Sequence, residues 1–337
     1  MSDIALNSPA LLEGLSEAAI ILDGGQVVAA NAAARELLGD SIRGADFHQV
    51  INHPAALAAL ESGSESAEGV ELTGLGGSRR HWLMRSAVLP DGASLIRFVD
   101  RSEARAAEQM RVDFVANASH ELRTPLSTLI GYTETLREQA DEIDLPTRER
   151  FLSVVHDEAR RMQRVVEDLI SLSRIEAEKF TAPTEAVDLK PLIEQAAGSA
   201  SRMADERSSA IVRSVEANLP PIAADSGQIL QLLDNLIANA LRYGEAGTPV
   251  TVSAQAAGPM VHLSVADQGE GIAPEHIARV TERFYRVDTS RSRSIGGTGL
   301  GLSIVKHIVE RHRGRLSIDS EVGVGTTIHV LVPVAVS

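Results

Sequence analysis

The sequence predicts a multidomain α+β chain in three parts: a small α/β module, an antiparallel helical hairpin, and an α/β sandwich. Three changes of pattern predict it. Residues 11–99 carry short apolar runs that alternate like strands and are set off by turn signals. From 103 to about 180, apolar residues recur at steps of three and four, the spacing of a helical seam. Beyond residue 188, helical and strand patterns alternate to the last residues given.

Composition bounds this prediction. The 337 residues suffice for about two or three domains. Aromatics are only 3% against 44% apolar residues, so the cores must rest on Leu, Ile, Val and Ala. A net charge of −14 argues against a broad nucleic-acid-binding surface, which needs clustered Lys and Arg. There is no cysteine, which excludes disulfides and cysteine-ligated zinc and suits a reducing compartment. No window offers about 18 uninterrupted apolar residues, and the first residues lack a basic stretch followed by an apolar core. The chain as given is expected to be soluble and cytoplasmic, with no membrane segment and no nucleic-acid partner.

In the first part, residues 1–102, Asp23-Gly24-Gly25 separates two apolar runs and marks a hairpin. Asn31 then caps a short helix closed by Gly39. Strand-like segments at 70–72, 81–88 and 93–99 follow, the last two joined by the Pro90-Asp91-Gly92 turn. His48 and His53 sit in no ligand motif, and no cofactor is expected there.

In the second part, residues 103–181, Val115, Leu122, Leu129 and Leu136 recur at every seventh position. A turn at 141–146 leads to a second helix with the stripe Phe151, Val155, Met162, Val165, Leu169 and Leu172, interrupted by Glu158. One hairpin buries such stripes poorly, so a four-helix bundle made by two chains, a homodimer, is expected. With Leu122 in the seam, His120 points outward and Thr124, one turn on, shares its face. Pro125 cannot donate to the carbonyl of Glu121 and is expected to bend the helix just after the histidine. An exposed His120 beside the carboxylate of Glu121 is a candidate phosphorylation site; the ordinary alternative is a solvated helical face.

In the third part, residues 182–337, helices are expected at 189–206, 225–243, 274–284 and 299–312. Strands at 210–215, 250–256, 261–266, 315–320 and 326–332 would form a mixed sheet covered by helices on one face. Asp267 ends a strand, and Gly269 and Gly271 let the backbone turn against a ligand. Gly297-Thr298-Gly299-Leu300-Gly301-Leu302 opens a helix, where N–H groups favour phosphate. Gly323-Val324-Gly325-Thr326 lies between the last two strands and competes with an ordinary hairpin turn. Asn235 and Asn239 stand one turn apart, with Arg242 and Tyr243 just beyond. Their amides suit either Mg²⁺ with phosphate oxygens or capping hydrogen bonds.

Taken in order, Asn235-x-x-x-Asn239, Asp267-x-Gly269-x-Gly271, Glu282-x-Phe284-Tyr285-Arg286, Gly297-x-Gly299-x-Gly301 and Gly323-x-Gly325-Thr326 closely resemble the asparagine, glycine and phenylalanine boxes of one ATPase fold. That fold is shared by histidine kinases, gyrase, the large heat-shock chaperone ATPase and the MutL mismatch-repair ATPase. Ser119-His120-Glu121-Leu122-Arg123-Thr124-Pro125 resembles the histidine box of a dimerisation and phosphoacceptor hairpin. The first part, with its exit Val99-Asp100-Arg101-Ser102-Glu103, resembles a PAS domain. Over nearly its whole length the chain therefore resembles a two-component sensor histidine kinase. Ile51-Asn52-His53-Pro54 and the run from Glu282 through Arg286 to Asp288 resemble sensor kinases of the phosphate-regulon type.

The resemblance implies ATP and Mg²⁺ as cofactors. It implies that Asp267 accepts from the adenine amino group, Asn239 coordinates Mg²⁺, Asn235 and Tyr243 lie against the nucleotide, Arg286 meets the γ-phosphate, and 288–295 form a lid. Arg242 stands where a lysine is common. His120 would be the nucleophile and Glu121 its general base. Thr124 would hold the water that dephosphorylates the partner, a response regulator receiver domain. Sensor kinases of this type usually carry membrane helices, so the chain is expected to be a cytoplasmic relative or a truncated, membrane-associated sensor. A chaperone-like or mismatch-repair-like ATPase would share the nucleotide boxes but has no use for an exposed histidine on a dimerising hairpin. A scaffold with a degenerate site would have no need of Asn239, Asp267 and the glycines.

Overall fold

The computed structural model describes residues 8–61, 69–77, 80–139, 142–178, 180–287 and 297–335. Two compact units divide the chain, Met1–Asp113 and Phe114–Ser337.

In the first unit, helix α1 (Ser8–Glu13) precedes a hairpin of β1 (Ala18–Asp23) and β2 (Gln26–Ala30). Helices α2 (Ala32–Leu38), α3 (Phe47–Val50) and α4 (Pro54–Glu61) lead to β3 (Val70–Thr73), β4 (His81–Val88) and β5 (Ser94–Asp100). The strands form one antiparallel sheet in the order β2-β1-β5-β4-β3. Asn31 is buried because its side chain is fully used. Its oxygen accepts from Ala19 and Ala34 N–H, and its amide donates to the carbonyls of Leu15 and Glu17. Ile20, Phe47, Met84 and Phe98 fill the core beneath. At the sheet's exit the Asp100 carboxylate accepts from Ser102 N–H at 2.8 Å, starting helix α5 (Ser102–Glu138).

The second unit joins the hairpin to the sandwich. Helix α6 (Leu145–Ala177) starts at an Asp144 cap with Pro146 in its first turn. Its contacts with α5 run in opposite order, Glu121 with Arg161 and Tyr132 with Phe151, so the pair is antiparallel. Helix α5 continues as one helix through Pro125, whose ring is buried. Leu122, Leu129 and Leu136 are half-buried and Val165 and Leu172 fully buried, as the seam requires. Val115, at the start of the seam, is 59% exposed in the single chain. Its neighbour Phe114 turns inward instead, against Phe284 with ring centroids 6.0 Å apart.

In the sandwich, β6 (Ala186–Val187) pairs with β8 (Ile222–Ala223), and α7 (Leu189–Glu206) and β7 (Ile211–Val215) lie between them in sequence. Then come α8 (Ser226–Tyr243), β9 (Val250–Ala257), β10 (Met260–Asp267), α9 (Pro274–Ile277), α10 (Gly301–Arg311), β11 (Arg315–Glu321) and β12 (Gly325–Pro333). The main sheet runs β11-β12-β10-β9-β7, antiparallel except for parallel β7 and β9. Val261, Leu263, Val265, Val330 and Val332 alternate inward to a core shared with α8 and α10, while His262, Ser264 and His329 belong to the other face. Leu172 and Ile175 enter the same core, so α6 ends inside the sandwich.

The helix expected over 274–284 stops at Ile277 and gives way to turns. Phe284 adopts a positive φ of 62°, and its N–H donates to the Gly299 carbonyl at 2.9 Å, a contact that helical geometry would forbid. The expected lid at 288–295 lies outside the described residues. Among the described residues no helix is long and apolar enough to cross a membrane.

Candidate active site

Strand register begins the site. Antiparallel pairing of β10 with β12 sets Asp267 opposite Thr326 at the sheet's end. Asp267 Oδ1 accepts from Gly269 N–H at 2.9 Å. Burial pushes the carboxyl's pKa up, opposed by the N–H groups of Gly269 and Thr326. Gly271 follows at φ 69°, where an added Cβ would meet the Glu321 carbonyl at 2.1 Å, so only glycine lets this loop close on the last hairpin.

Helix α8 supplies the adjoining wall. Ile229, Leu232, Leu233, Leu236, Ile237 and Ala240 bury one face, which leaves Asn235, Asn239 and Arg242 to a cavity of about 1150 Å³. Asn235 donates to the Gln231 carbonyl at 3.0 Å, and its oxygen stands only 2.8 Å from where a Cβ on Gly301 would lie. That close approach binds α8 to the first turn of α10. Burial lowers the Arg242 pKa, with Tyr243 opposing and the neighbouring Arg164 and Arg286 charges adding to burial. Tyr243, Asp267, Gly269, Gly271, Arg286 and Thr326 line the same cavity, as do Gly297, Thr298, Gly299, Gly301 and Leu302.

Leu300 turns its side chain into the core, so it offers the loop only its backbone N–H, which at the start of α10 donates to Thr298 Oγ1 at 3.2 Å. On the hairpin, three wall residues escaped sequence reasoning: Arg164, Glu167 and Asp168 of α6. They fall outside that helix's apolar stripe and look like a solvated face, so no local signal marks them. Thr298 Oγ1 donates to Asp168 Oδ2 at 2.9 Å, and burial pushes the Asp168 pKa up.

The phosphoacceptor candidates stand elsewhere. His120 and Thr124 are exposed on one face of α5, and the Thr124 hydroxyl donates to the His120 carbonyl at 3.3 Å. Glu121 is ion-paired with Arg161 at 3.0 Å, and Arg161 also reaches Glu158 at 3.8 Å. The polar break in the α6 stripe is thus one end of an ion-pair network centred on the buried Arg161. His120, Glu121 and Thr124 do not line the cavity.

A strand-end carboxylate, a glycine loop opening a helix, two amides and two arginines suit an adenine nucleotide. Among the described residues no group of three or more His, Cys, Asp or Glu could hold a metal ion. A Mg²⁺ ion fits here only together with phosphate oxygens, with an amide oxygen such as that of Asn239 as its protein ligand.

A sheet-and-helix sensor module, a helical hairpin carrying an exposed histidine and a sandwich with this cavity define the class of a sensor kinase. Family models agree along the chain. A PAS domain matches residues 10–71, a His Kinase A (phospho-acceptor) domain 110–178, and a histidine kinase-, DNA gyrase B- and HSP90-like ATPase 224–336. The phosphate regulon sensor protein PhoR of Pseudomonas aeruginosa is 34% identical, over 93% of this chain and 71% of its own length. The sensor-like histidine kinase SenX3 of Mycolicibacterium smegmatis is 36% identical, over 69% of this chain and 60% of its own length. For the sensor histidine kinase WalK of Bacillus subtilis the figures are 38%, 69% and 38%. Full-length ShkA, solved in complex with AMPPNP, shares 31% identity at a TM-score of 0.50, over 68% of this chain and 46% of its own. ThkA, solved with the response regulator TrrA, shares the fold at a TM-score of 0.54 and 19% identity, over 99% of this chain and 98% of its own. The chain belongs to the two-component sensor histidine kinases.

Proposed function

We propose that this chain is an ATP-dependent protein histidine kinase that phosphorylates its own His120 and passes the phosphoryl group to an aspartate of a response regulator receiver domain. The observation that carries the proposal is one cavity lined by Asn239, Asp267 and the glycine loops, in a chain that also exposes His120 beside Glu121. Asp267 accepts from the adenine amino group, and Asn235 and Tyr243 flank the nucleotide. Arg242, Arg286 and the N–H groups at the start of α10 hold its phosphates. Asn239 would hold Mg²⁺, which would supply neutralisation of the phosphate charge when bound. A neutral imidazole nitrogen of His120 attacks the γ-phosphorus in line with the departing ADP, and Glu121 takes the proton from the other ring nitrogen. Arg161 holds that carboxylate one residue from the nucleophile.

Thr124 adds a second activity: its hydroxyl positions the water that hydrolyses the receiver's aspartyl phosphate. The active species is a homodimer. Leu126 and Ile130 of α5 and Leu152, Val166 and Ile170 of α6 are exposed on one hairpin, an apolar surface that a second hairpin covers. Three domains divide the work: 1–102 senses, 103–181 dimerises and accepts phosphate, and 182–337 binds ATP. Incubation with γ-labelled ATP tests the proposal. Acid-labile, alkali-stable label is expected on the wild type and none on His120→Ala; label surviving on the variant would overturn it.

A further inference from the structure

Asp168 belongs to the hairpin, yet it reaches the loop that opens α10. Its Oδ2 accepts from the Thr298 hydroxyl at 2.9 Å, and that same hydroxyl accepts from Leu300 N–H at 3.2 Å. A carboxylate's negative charge is thereby relayed through one hydroxyl to the N-terminus of an 11-residue helix, where unpaired N–H groups and the helix dipole favour an anion. This is where the proposed nucleotide would put phosphate oxygens. We infer that Asp168 is a built-in stand-in for nucleotide phosphate, supplied by the hairpin and displaced when the triphosphate arrives. The inference rests on the nucleotide-site assignment above.

The surroundings make displacement necessary. Asp168 and Glu167 both line the cavity, and the cations near Asp168 are Arg164 on its own helix and Arg242 on α8. A triphosphate adds about three or four negative charges next to two carboxylates and competes for the Thr298 hydroxyl and the Leu300 N–H. The carboxylate has to leave Thr298, and burial already disfavours its ionised form. By linkage, whatever factor Asp168 takes from nucleotide affinity, the nucleotide takes from the contact between hairpin and sandwich. One chain contact therefore reports whether the site is filled.

Calorimetric titration of the whole chain with Mg²⁺ and AMPPNP, and separately with adenosine, tests this. Asp168→Asn keeps the side chain's shape and can still accept from Thr298, but removes the charge. It is expected to bind AMPPNP about tenfold more tightly and adenosine unchanged, with Asp168→Ala as a second variant shifting the same way and melting curves confirming that both are folded. Equal or weaker AMPPNP binding by both folded variants would overturn the inference while leaving the nucleotide site standing. Weakening confined to Mg²⁺-containing buffer would make Asp168 a metal ligand and overturn it equally. If the wild type binds no AMPPNP, the nucleotide-site assignment itself fails and this inference fails with it.

Discussion

The phosphoacceptor face and the nucleotide cavity are the two halves of one proposed reaction, and they are built in opposite ways. His120, Glu121 and Thr124 lie within a single turn and a half of α5, and one partner on α6, Arg161, completes their setting. The cavity draws on α6, α8, the end of β10, the loop before α10 and the start of β12, which the sheet register and the shared core must bring together. A local site tolerates damage elsewhere in the fold, whereas an assembled site fails when any wall moves. Substitutions in each half should therefore leave the other half's properties intact.

The largest effect is expected at Asp267. Asp267→Ala should weaken AMPPNP binding by about a hundredfold, because it removes the half-buried carboxylate proposed to accept from the adenine amino group. Calorimetry measures the affinity, and sedimentation should show the dimer undisturbed. A variant that binds nucleotide normally would remove Asp267 from the site; one that loses the dimer as well would show that the two halves are not separable.

Thr124→Ala probes the opposite half. Autophosphorylation is expected to stay within about twofold of the wild type while dephosphorylation of the receiver falls by at least about tenfold, since only the second reaction needs a positioned water. Parallel loss of both rates would show instead that Thr124 supports the His120 region of the helix. Arg161→Met is expected to be milder on chemistry, lowering autophosphorylation by about tenfold without changing the KM for ATP. It also leaves Glu121 and Glu158, both mostly buried, facing each other, which costs the hairpin about 2–4 kcal/mol. Denaturant unfolding beside the rate measurement separates these two consequences.

The same contrast decides what could be read from the amino acids alone. The face of His120 and Thr124 follows from heptad numbering, because a helix translates spacing directly into direction. The strand ends at Asp267 and Thr326 are legible as alternation, but their pairing is a property of the sheet. The misreading of 274–284 as a helix has a tertiary cause: the Phe284 N–H contact with the Gly299 carbonyl outweighs the local pattern. Asp168 was invisible for the converse reason. A carboxylate on the polar side of a helix looks solvated until another segment is seen to cover it.

The smallest expected effect belongs to the assembled half alone. His312 is 2% exposed, and both ring nitrogens are committed: Nδ1–H donates to the Ile308 carbonyl at 2.7 Å, and Nε2 accepts from Asp225 N–H at 3.0 Å. Protonation would set an N–H against the Asp225 N–H. Burial lowers the pKa of His312, the Ile308 carbonyl opposes, and the charge of Arg311 adds to burial. The folded-state value therefore lies below the unfolded value of about 6.5, so the unfolded chain binds the proton more readily. The contribution of neutral His312 is fully present above about pH 6.5 and is lost as pH falls through the folded pKa. Melting temperature should drop by about 2–4 °C as pH falls from 6.5 through that folded pKa, if the loss is about 1 kcal/mol, and His312→Gln should flatten the drop. A variant with the wild-type slope would move the titrating group elsewhere. A slope accompanied by dimer dissociation would place it in the hairpin rather than in the sandwich that builds the cavity.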